Sequence, residues 1–526
     1  MHILMLASEN DALEGAKVGG LADVVRDAPI ALARQGCQVT VVTPAYNFLH
    51  TVPGARGFHE FSVYFRGYPC YINAYEVPGR PSHPDVTQLV LHHPDLWATA
   101  PNQLYYHDSP ESPFATDANR FALFCLAAAE LIRSRRYRGE IDCIHLHDWP
   151  ASLLMMLREY HHWYHPLKEI RTVITIHNLA MQGVRPLRGD DSSLEAWYPG
   201  LPYDWFAVSD RRWPGSINPM AAAIRIADKV HAVSPSYAAE ILQPNRTPVF
   251  YGGEGLESDL AYAAGQGRLV GILNGTDYPE ERLVPRVDPD ELFRALRSAA
   301  VSWSGGEHAV PAPHFLAFAR LTERMEWKTG PGLILTSVTR VVEQKLLLLL
   351  SHGSNGRSGL ENLLALLDEK DLYILLGFGD YGYDRFFARM SAAHSNFIFL
   401  NGYSTDVARL LYANGDLFIM PSSFEPCGIS QMLAMRDGQP CLVHRVGGLK
   451  DTVTDGENGF AFGGDSLSDQ VDDMVAVAEK AVHIARNQPG RWEQIRRQAA
   501  AARFSWDDSV RRYIDELYRP PGQDQA

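Results

Sequence analysis

Short, uninterrupted runs of Val, Ile and Leu alternate with amphipathic helical stretches along most of this chain. That alternation restricts its fold more than any other feature. In the first half the runs fall at His2–Ala7, Gln38–Thr43, Ile141–His145, Arg171–His177 and Lys229–Val233, with helices such as Gly20–Arg34 and Pro219–Ala227 between them. A strand that is apolar at nearly every position is buried on both faces, the condition of a parallel strand with helices packed above and below it. Strand, helix, strand in that order predicts a doubly wound α/β sheet. The pattern then restarts. Arg268–Leu273, His314–Ala319, Asp371–Leu376, Asn396–Leu400, Asp416–Met420 and Cys441–His444 predict a second parallel sheet, with the Gly- and Glu-rich stretch Gly252–Gly267 as connector. A chain of 526 residues also exceeds what one ordinary core encloses. The expected architecture is α/β: two Rossmann-like domains facing across a cleft, over residues 1–267 and 268–504, followed by a C-terminal piece, 505–526.

Composition excludes several function classes. Lys plus Arg number 48 against 62 Asp plus Glu, a net charge of −14, which argues against a broad nucleic-acid or anionic-membrane surface. An anionic small ligand stays open, because a local cluster of cations in a cleft outweighs distant surface charge. The six cysteines show no C-x-x-C spacing and read as reduced thiols. The apolar start Met1–Ala7 lacks a basic leader and meets Glu9 and Asp11 at once, so it reads as a buried first strand. The longest aliphatic run, Leu346 to Leu350, is too short to span a bilayer. A cytoplasmic protein without membrane or nucleic-acid partners is expected.

The chemistry-bearing residues collect where these strands end. Lys17-Val18-Gly19-Gly20-Leu21-Ala22-Asp23 lies between the first strand and its helix. Paired glycines let the backbone approach a ligand, and helix-start N–H groups with a nearby lysine favour an anion. The long loop before it is not the tight G-x-G-x-x-G turn of a dinucleotide site. His145-Leu146-His147-Asp148-Trp149 follows a strand, as does Thr175-Ile176-His177-Asn178, and strand ends of open α/β sheets are where ligands bind. H-x-H-D is also a metal-ligand pattern, but no complementary Cys or Glu cluster accompanies it; no metal is assigned. Arg320-Leu321-Thr322 is expected to leave a strand, with Arg324 and Lys328 following as cations for a departing diphosphate. Pro421-Ser422-Ser423-Phe424-Glu425-Pro426-Cys427-Gly428 is the strongest signal. A buried strand delivers Glu425 to a turn, where it can accept sugar hydroxyls or offset developing positive charge, and a helix begins near Gly428.

Taken together, the boxes at 17–24, 145–149, 175–178, 273–277 (Leu-Asn-Gly-Thr-Asp), 424–428 and 445–453 (Arg-x-Gly-Gly-Leu-x-Asp-Thr-Val) resemble the bacterial glycogen synthase and plant starch synthase family, in order and over nearly the whole chain. The resemblance implies a GT-B fold. It implies retaining, metal-independent and cofactor-free transfer of glucose from ADP-glucose, or less often UDP-glucose, to the non-reducing end of an α-1,4-glucan. It also implies that the C-terminal helix near Trp506–Tyr518 crosses back onto the first domain. Carried over, Lys17, Gly19 and Gly20 meet the donor phosphates. Asp148, His177 and Asn178 surround the transferred glucose and acceptor, where Asp23 and Asn274 are also placed. Arg320, with Lys328 or Arg324, holds the diphosphate, Glu425 binds sugar hydroxyls, and Tyr403 stacks the base. Gly428 and Ser430 meet the distal phosphate, with Cys427 and Ile429 also binding the donor. Against the family's Arg-Leu-Thr-x-Gln-Lys-Gly, the stretch 320–330 carries three extra residues before its lysine. Two other readings stay open: a GT-B transferase using UDP-glucose or a small acceptor, and a non-catalytic glucan-binding regulatory homologue.

Overall fold

A computed structural model describes residues 1–135, 139–278, 285–305, 311–326 and 330–520. The chain divides into two compact units, one of Met1–Asn245, Gly252–Gly275 and Ser505–Ala526, the other of Arg246–Tyr251 and Thr276–Phe504. The family resemblance's two α/β domains are present, each with its own sheet, mostly parallel in the first and wholly so in the second.

The first unit's strands are β1 (His2–Leu6), β2 (Gln38–Pro44), β3 (Arg56–Phe65), β4 (Tyr68–Val77), β5 (Val86–His92), β6 (Cys143–His147), β7 (Arg171–Ile176), a two-residue ribbon of β8 (Arg185–Pro186) and β9 (Ser216–Ile217), β10 (Lys229–Ala232) and β11 (Leu269–Gly271). All but the ribbon form one sheet in the order β11-β10-β7-β6-β1-β2-β5-β4-β3. Pairing is parallel except where β4 runs against β3 and β5. Helix Gly20–Arg34 packs on it with Leu21, Val24, Val25, Ala28, Ala31 and Leu32, an i, i+3, i+4 face that is buried throughout. Two expectations change here. Arg268–Leu273 was placed in the second sheet, but β11 pairs with β10 in the first. The supposed connector Gly252–Gly267 carries a helix, Glu257–Gly265, inside the first unit.

The C-terminal segment completes this unit. Helix Trp506–Arg512 and a π-helical turn, Tyr513–Tyr518, bury Trp506, Val510, Tyr513 and Leu517 with Ile3, Met5 and Val173. Gly275 makes room for it: a Cβ there would stand 2.3 Å from the Trp506 nitrogen.

The second unit holds β12 (Ile334–Val338), β13 (Leu372–Gly377), β14 (Phe397–Asn401), β15 (Leu417–Met420), β16 (Cys441–His444) and β17 (Gly459–Phe462), ordered β14-β13-β12-β15-β16-β17 and parallel throughout. Counted from its own first strand the order is 3-2-1-4-5-6, that of the doubly wound nucleotide-binding sheet. His314–Ala319, expected as a strand here, lies within helix Ala312–Met325, with Ala317 and Leu321 in the core. The first strand of this sheet is β12. Its apolar run is broken by Thr336 and Ser337, which stay buried because Gln439 donates to Thr336 Oγ1 at 2.6 Å and Ser337 Oγ donates to the Ile419 carbonyl at 2.6 Å.

Candidate active site

In a doubly wound sheet the strand order reverses beside the first strand, and the crevice outside the carboxyl ends there receives ligands. In the first unit that place lies between β1 and β6, in the second between β12 and β15. The sequence boxes converge on both.

At the first edge β1 runs into Ser8 and Glu9. Glu9, buried, accepts the Val18 and Gly19 N–H groups at 2.8 and 2.6 Å and the Tyr105 hydroxyl at 2.7 Å. This carboxylate, not among the expected site residues, fixes the glycine loop at the start of helix Gly20–Arg34, an end no side chain caps. A Cβ on Gly20 would meet nothing within 4 Å, so packing does not account for that glycine. Lys17 Nζ donates to Asp23 at 2.6 Å and Asp11 at 3.2 Å. Burial alone would lower its pKa, but Asp23 and Asp11 raise it above the ordinary lysine value. Asp23, expected to bind sugar, is ion-paired with this lysine and also with Arg26, at 3.2 Å.

β6 reaches to His147, two residues further than expected, so His145 and His147 lie inside the sheet, 0% and 1% exposed, and Asp148 is the residue at the exit. Asp148 takes a positive φ of 55° and its Oδ1 accepts the His177 N–H at 2.7 Å. Burial pushes its carboxyl up to about 8 although the backbone N–H groups of His177 and Asn178 work against the shift. His147 Nδ1 lies 2.9 Å from His177 Nε2. The structure thus brings Asp148, His177 and Asn178 together. Asn274, also expected there, is buried, and its Oδ1 accepts the Tyr513 hydroxyl at 3.3 Å beneath the C-terminal segment.

At the second edge β15 ends in Pro421-Ser422-Ser423-Phe424-Glu425. Glu425 Oε2 is ion-paired with Lys345 Nζ and accepts the Ser422 hydroxyl at 3.2 Å; the two charged side chains are 7% and 13% exposed. Gln344, beside the lysine, donates to the Phe424 carbonyl at 3.1 Å, while Gly448 N–H donates to the Glu425 carbonyl at 3.0 Å. Gly448 is required there, since a Cβ would stand 2.1 Å from the Cys427 carbonyl. His444 Nδ1 bonds the Ser422 carbonyl at 2.9 Å and so supports the serine beneath Glu425. Gly428, with φ +77°, turns the chain into helix Ser430–Arg436, where the Ser430 side chain bonds the Tyr412 phenol. Cys427 is buried and Ile429 caps the helix. Tyr403 is 55% exposed.

The cation spacing expected of the family occurs in another stretch. β12 leads into Thr339 and then Arg340-Val341-Val342-Glu343-Gln344-Lys345, which fits the family spacing Arg-x-x-x-Gln-Lys without any insertion. Arg340 is exposed at the strand exit. Arg320, expected there, is on helix Ala312–Met325 and donates to the Ser391 and Ala392 carbonyls at 3.5 and 3.2 Å; Arg324 donates to the Ser395 carbonyl. Arg320 caps the C-terminal end of helix Tyr381–Ala393, where a cation offsets the helix dipole, and Arg324 bonds the turn just after it. Lys328 lies outside the described residues.

Among the described residues no group of three or more His, Cys, Asp and Glu side chains is placed to hold a metal ion, and no helix is long and apolar enough to cross a membrane.

The Starch synthase catalytic domain family matches residues 2–262, and the Glycosyl transferases group 1 family residues 359–483. Glycogen synthase from Streptococcus sanguinis is 33% identical over 528 residues, 99% of each chain. That from Moorella thermoacetica is 31% identical over 99% of this chain and 96% of its own. Among solved structures, the catalytic domain of starch synthase IV from Arabidopsis thaliana, bound to ADP and acarbose, superposes with a TM-score of 0.75 at 25% identity over 98% of both chains. Sucrose-phosphate synthase from Thermosynechococcus elongatus, 16% identical with a TM-score of 0.51 over 98% of both chains, shares the fold.

Proposed function

The chain belongs to the glycogen synthase and starch synthase family of glycosyltransferases, and from that premise we propose that it transfers glucose from ADP-glucose to the non-reducing end of an α-1,4-glucan with retention of configuration. The observation that carries this reading is the Lys345–Glu425 pair at the point where the second sheet reverses its strand order. A charged pair this buried is costly to assemble, and this one stands at the crevice where a doubly wound sheet receives ligands.

Roles follow from the chemistry of each group. In the transfer the bond from glucose C1 to the diphosphate oxygen breaks, and a bond from C1 to an acceptor hydroxyl oxygen forms with loss of that hydroxyl's proton. Negative charge grows on the diphosphate. Lys345 and Arg340 are the cations suited to take it up, in place of Arg320 on its helix. Glu425 accepts sugar hydroxyls. The backbone from Cys427 through Gly428 and Ile429 to Ser430 lines the distal phosphate, and Tyr403 stacks the base. In the first unit Lys17, Gly19 and Gly20 are assigned to phosphate, and Asp148, His177 and Asn178 to the transferred glucose and acceptor. The ADP carried by the Arabidopsis enzyme supports adenine as the base.

The test is incubation with ADP-, UDP- or GDP-glucose plus glycogen, measuring released nucleoside diphosphate and radiolabel in polymer. Glycogen-dependent ADP release is expected, with glucose incorporated one for one. Release from UDP-glucose alone would overturn the donor assignment, and no incorporation from any donor would overturn the activity.

A further inference from the structure

The face of the first sheet that the C-terminal segment covers carries a continuous polar stripe that none of the roles above uses. His145 and His147 on β6, Thr175 on β7 and His231 on β10 lie side by side there, each 0–1% exposed. Four contacts join His145, Thr175 and His231 end to end, with Tyr518 at one end and Ile272 at the other. The Tyr518 hydroxyl is 2.8 Å from His145 Nδ1 and His145 Nε2 is 2.5 Å from Thr175 Oγ1. Thr175 Oγ1 is 2.9 Å from His231 Nδ1, and His231 Nε2 is 3.1 Å from the Ile272 carbonyl.

The proton order along this chain is forced from one end. A carbonyl only accepts, so His231 Nε2 carries a proton and donates to Ile272. Buried as it is, His231 is neutral, which leaves Nδ1 bare to accept from Thr175. A threonine hydroxyl has one proton, already given to His231, so His145 Nε2–H must donate to Thr175 Oγ1. His145 Nδ1 is then bare, and the Tyr518 hydroxyl donates to it. No link can be reversed without leaving a buried donor facing a donor or an acceptor facing an acceptor.

The stripe is tied to the candidate site. The His145 ring stacks on His147 at 4.4 Å and 25°, and His147 in turn is bonded to His177, whose N–H is held by Asp148. Its far end is set by the π-helical turn Tyr513–Tyr518. An α-helix would put residues five apart about 140° around the axis. The i→i+5 turn, closed onto Ile514 by the Arg519 N–H, brings Tyr513 and Tyr518 to one side, where Tyr513 packs on His231 at 4.8 Å.

We propose that Tyr518, Thr175 and His145 are positioning residues of the transferase: the directed hydrogen-bond chain from the C-terminal segment fixes the His145–His147–His177 stack and with it the Asp148–His177 turn. The proposal rests on the transferase reading for its kinetic readout and on the chain's own geometry for a second one.

The experiment uses the full chain. Thr175→Val removes the hydroxyl at nearly constant volume, Thr175→Ser restores it, and Tyr518→Phe removes the terminal donor alone. The expected result is a fall in kcat of about 10- to 100-fold for Thr175→Val and about 10-fold for Tyr518→Phe, of the size that small displacements of reacting groups produce. The KM for nucleotide-glucose and for glycogen should stay within about threefold, and Thr175→Ser should recover most of kcat. Wild-type kcat in both Thr175→Val and Tyr518→Phe, or a Thr175→Ser variant as slow as Thr175→Val, overturns the proposal. Nitrogen-15 histidine spectra of the wild-type protein test the chain where the variants do not fold, or if the protein transfers nothing. His145 and His231 must both be neutral Nε2–H tautomers, and an Nδ1–H tautomer at either overturns the proposal. Absence of transfer in wild type with both tautomers as expected refutes the transferase reading and leaves the hydrogen-bond chain standing.

Discussion

Removing the Lys345–Glu425 pair one partner at a time, and then together, separates its contribution to stability from its contribution to the reaction. Both side chains are close to nine-tenths buried, at 13% and 7% exposure, and Ser422 adds one hydrogen bond to the carboxylate. Lys345→Met leaves a buried carboxylate with only that serine, and Glu425→Leu leaves a buried ammonium with no counter-charge. Each is expected to cost about 3–5 kcal/mol of stability, the usual penalty for an uncompensated buried charge. The double variant removes both charges, so the second substitution should restore most of the first one's loss, because apolar replacement of a buried pair is often neutral or stabilising by about 1–4 kcal/mol. Activity should behave differently. If Lys345 stabilises the departing diphosphate and Glu425 holds the sugar, each single variant loses roughly 10²- to 10³-fold in kcat, about 2.7–4 kcal/mol of transition-state stabilisation, and the double does not recover it. Urea unfolding gives the stability arm, and nucleoside diphosphate release at saturating donor and glycogen gives the activity arm. A double variant that regains both stability and at least a tenth of the wild-type rate would refute the argument, because the pair would then be structural only.

Two further outcomes are expected. Arg340→Ala should lower kcat by about 10²-fold or more, whereas Arg320→Ala, which only uncaps helix Tyr381–Ala393, should leave kcat within about threefold and cost about 1 kcal/mol in urea unfolding; the reverse ranking would restore the segment at 320 as the cation source. Stability should peak near pH 6.5. Burial lowers His147 to about 3 and His231 to about 4, so below 6.5 the unfolded chain binds protons that the native one cannot, and stability falls with pH, by up to about 1.4 kcal/mol per pH unit for each such histidine. Asp148, raised to about 8, acts oppositely: its neutral form is favoured in the native state, and that contribution is lost as pH rises from about 4 through 8. Between 6.5 and 8 Asp148 contributes a downward slope, so Asp148→Asn should flatten that limb in urea midpoints taken across pH; an unchanged limb would count against the buried carboxyl as a cause.

Much of this was legible in the sequence because it is local. An apolar run followed by Gly-Gly or by Phe-Glu-Pro-Cys-Gly carries its strand, its turn and its helix start within a dozen residues. Glu425, Asp148 and His177 could therefore be placed at strand exits, and Lys17 before its helix, from spacing alone. The segment from 312 to 345 failed for an equally definite reason. His-Phe-Leu-Ala-Phe-Ala at 314–319 is a short apolar run that suits a buried helix as well as a strand, and Arg-Leu-Thr after it imitated a strand exit. The true strand, Ile334–Val338, was disguised by Thr336 and Ser337, whose polarity is acceptable only because Gln439 and Ile419, far along the chain, bond them. The signal that would have found it was present in Arg340-x-x-x-Gln344-Lys345.

The sequence by itself determined that two parallel α/β sheets form and that a carboxylate sits at the exit of the strand before Glu425, because strand periodicity and turn chemistry act over a few neighbouring residues. Only the tertiary structure decided which lysine pairs with that carboxylate across 80 positions, which arginines are mere helix caps, and how Tyr518 reaches His145 across 373. Those are contacts between residues remote in the chain, brought together by burial and by the pairing of polar groups inside it, and no local pattern carries them.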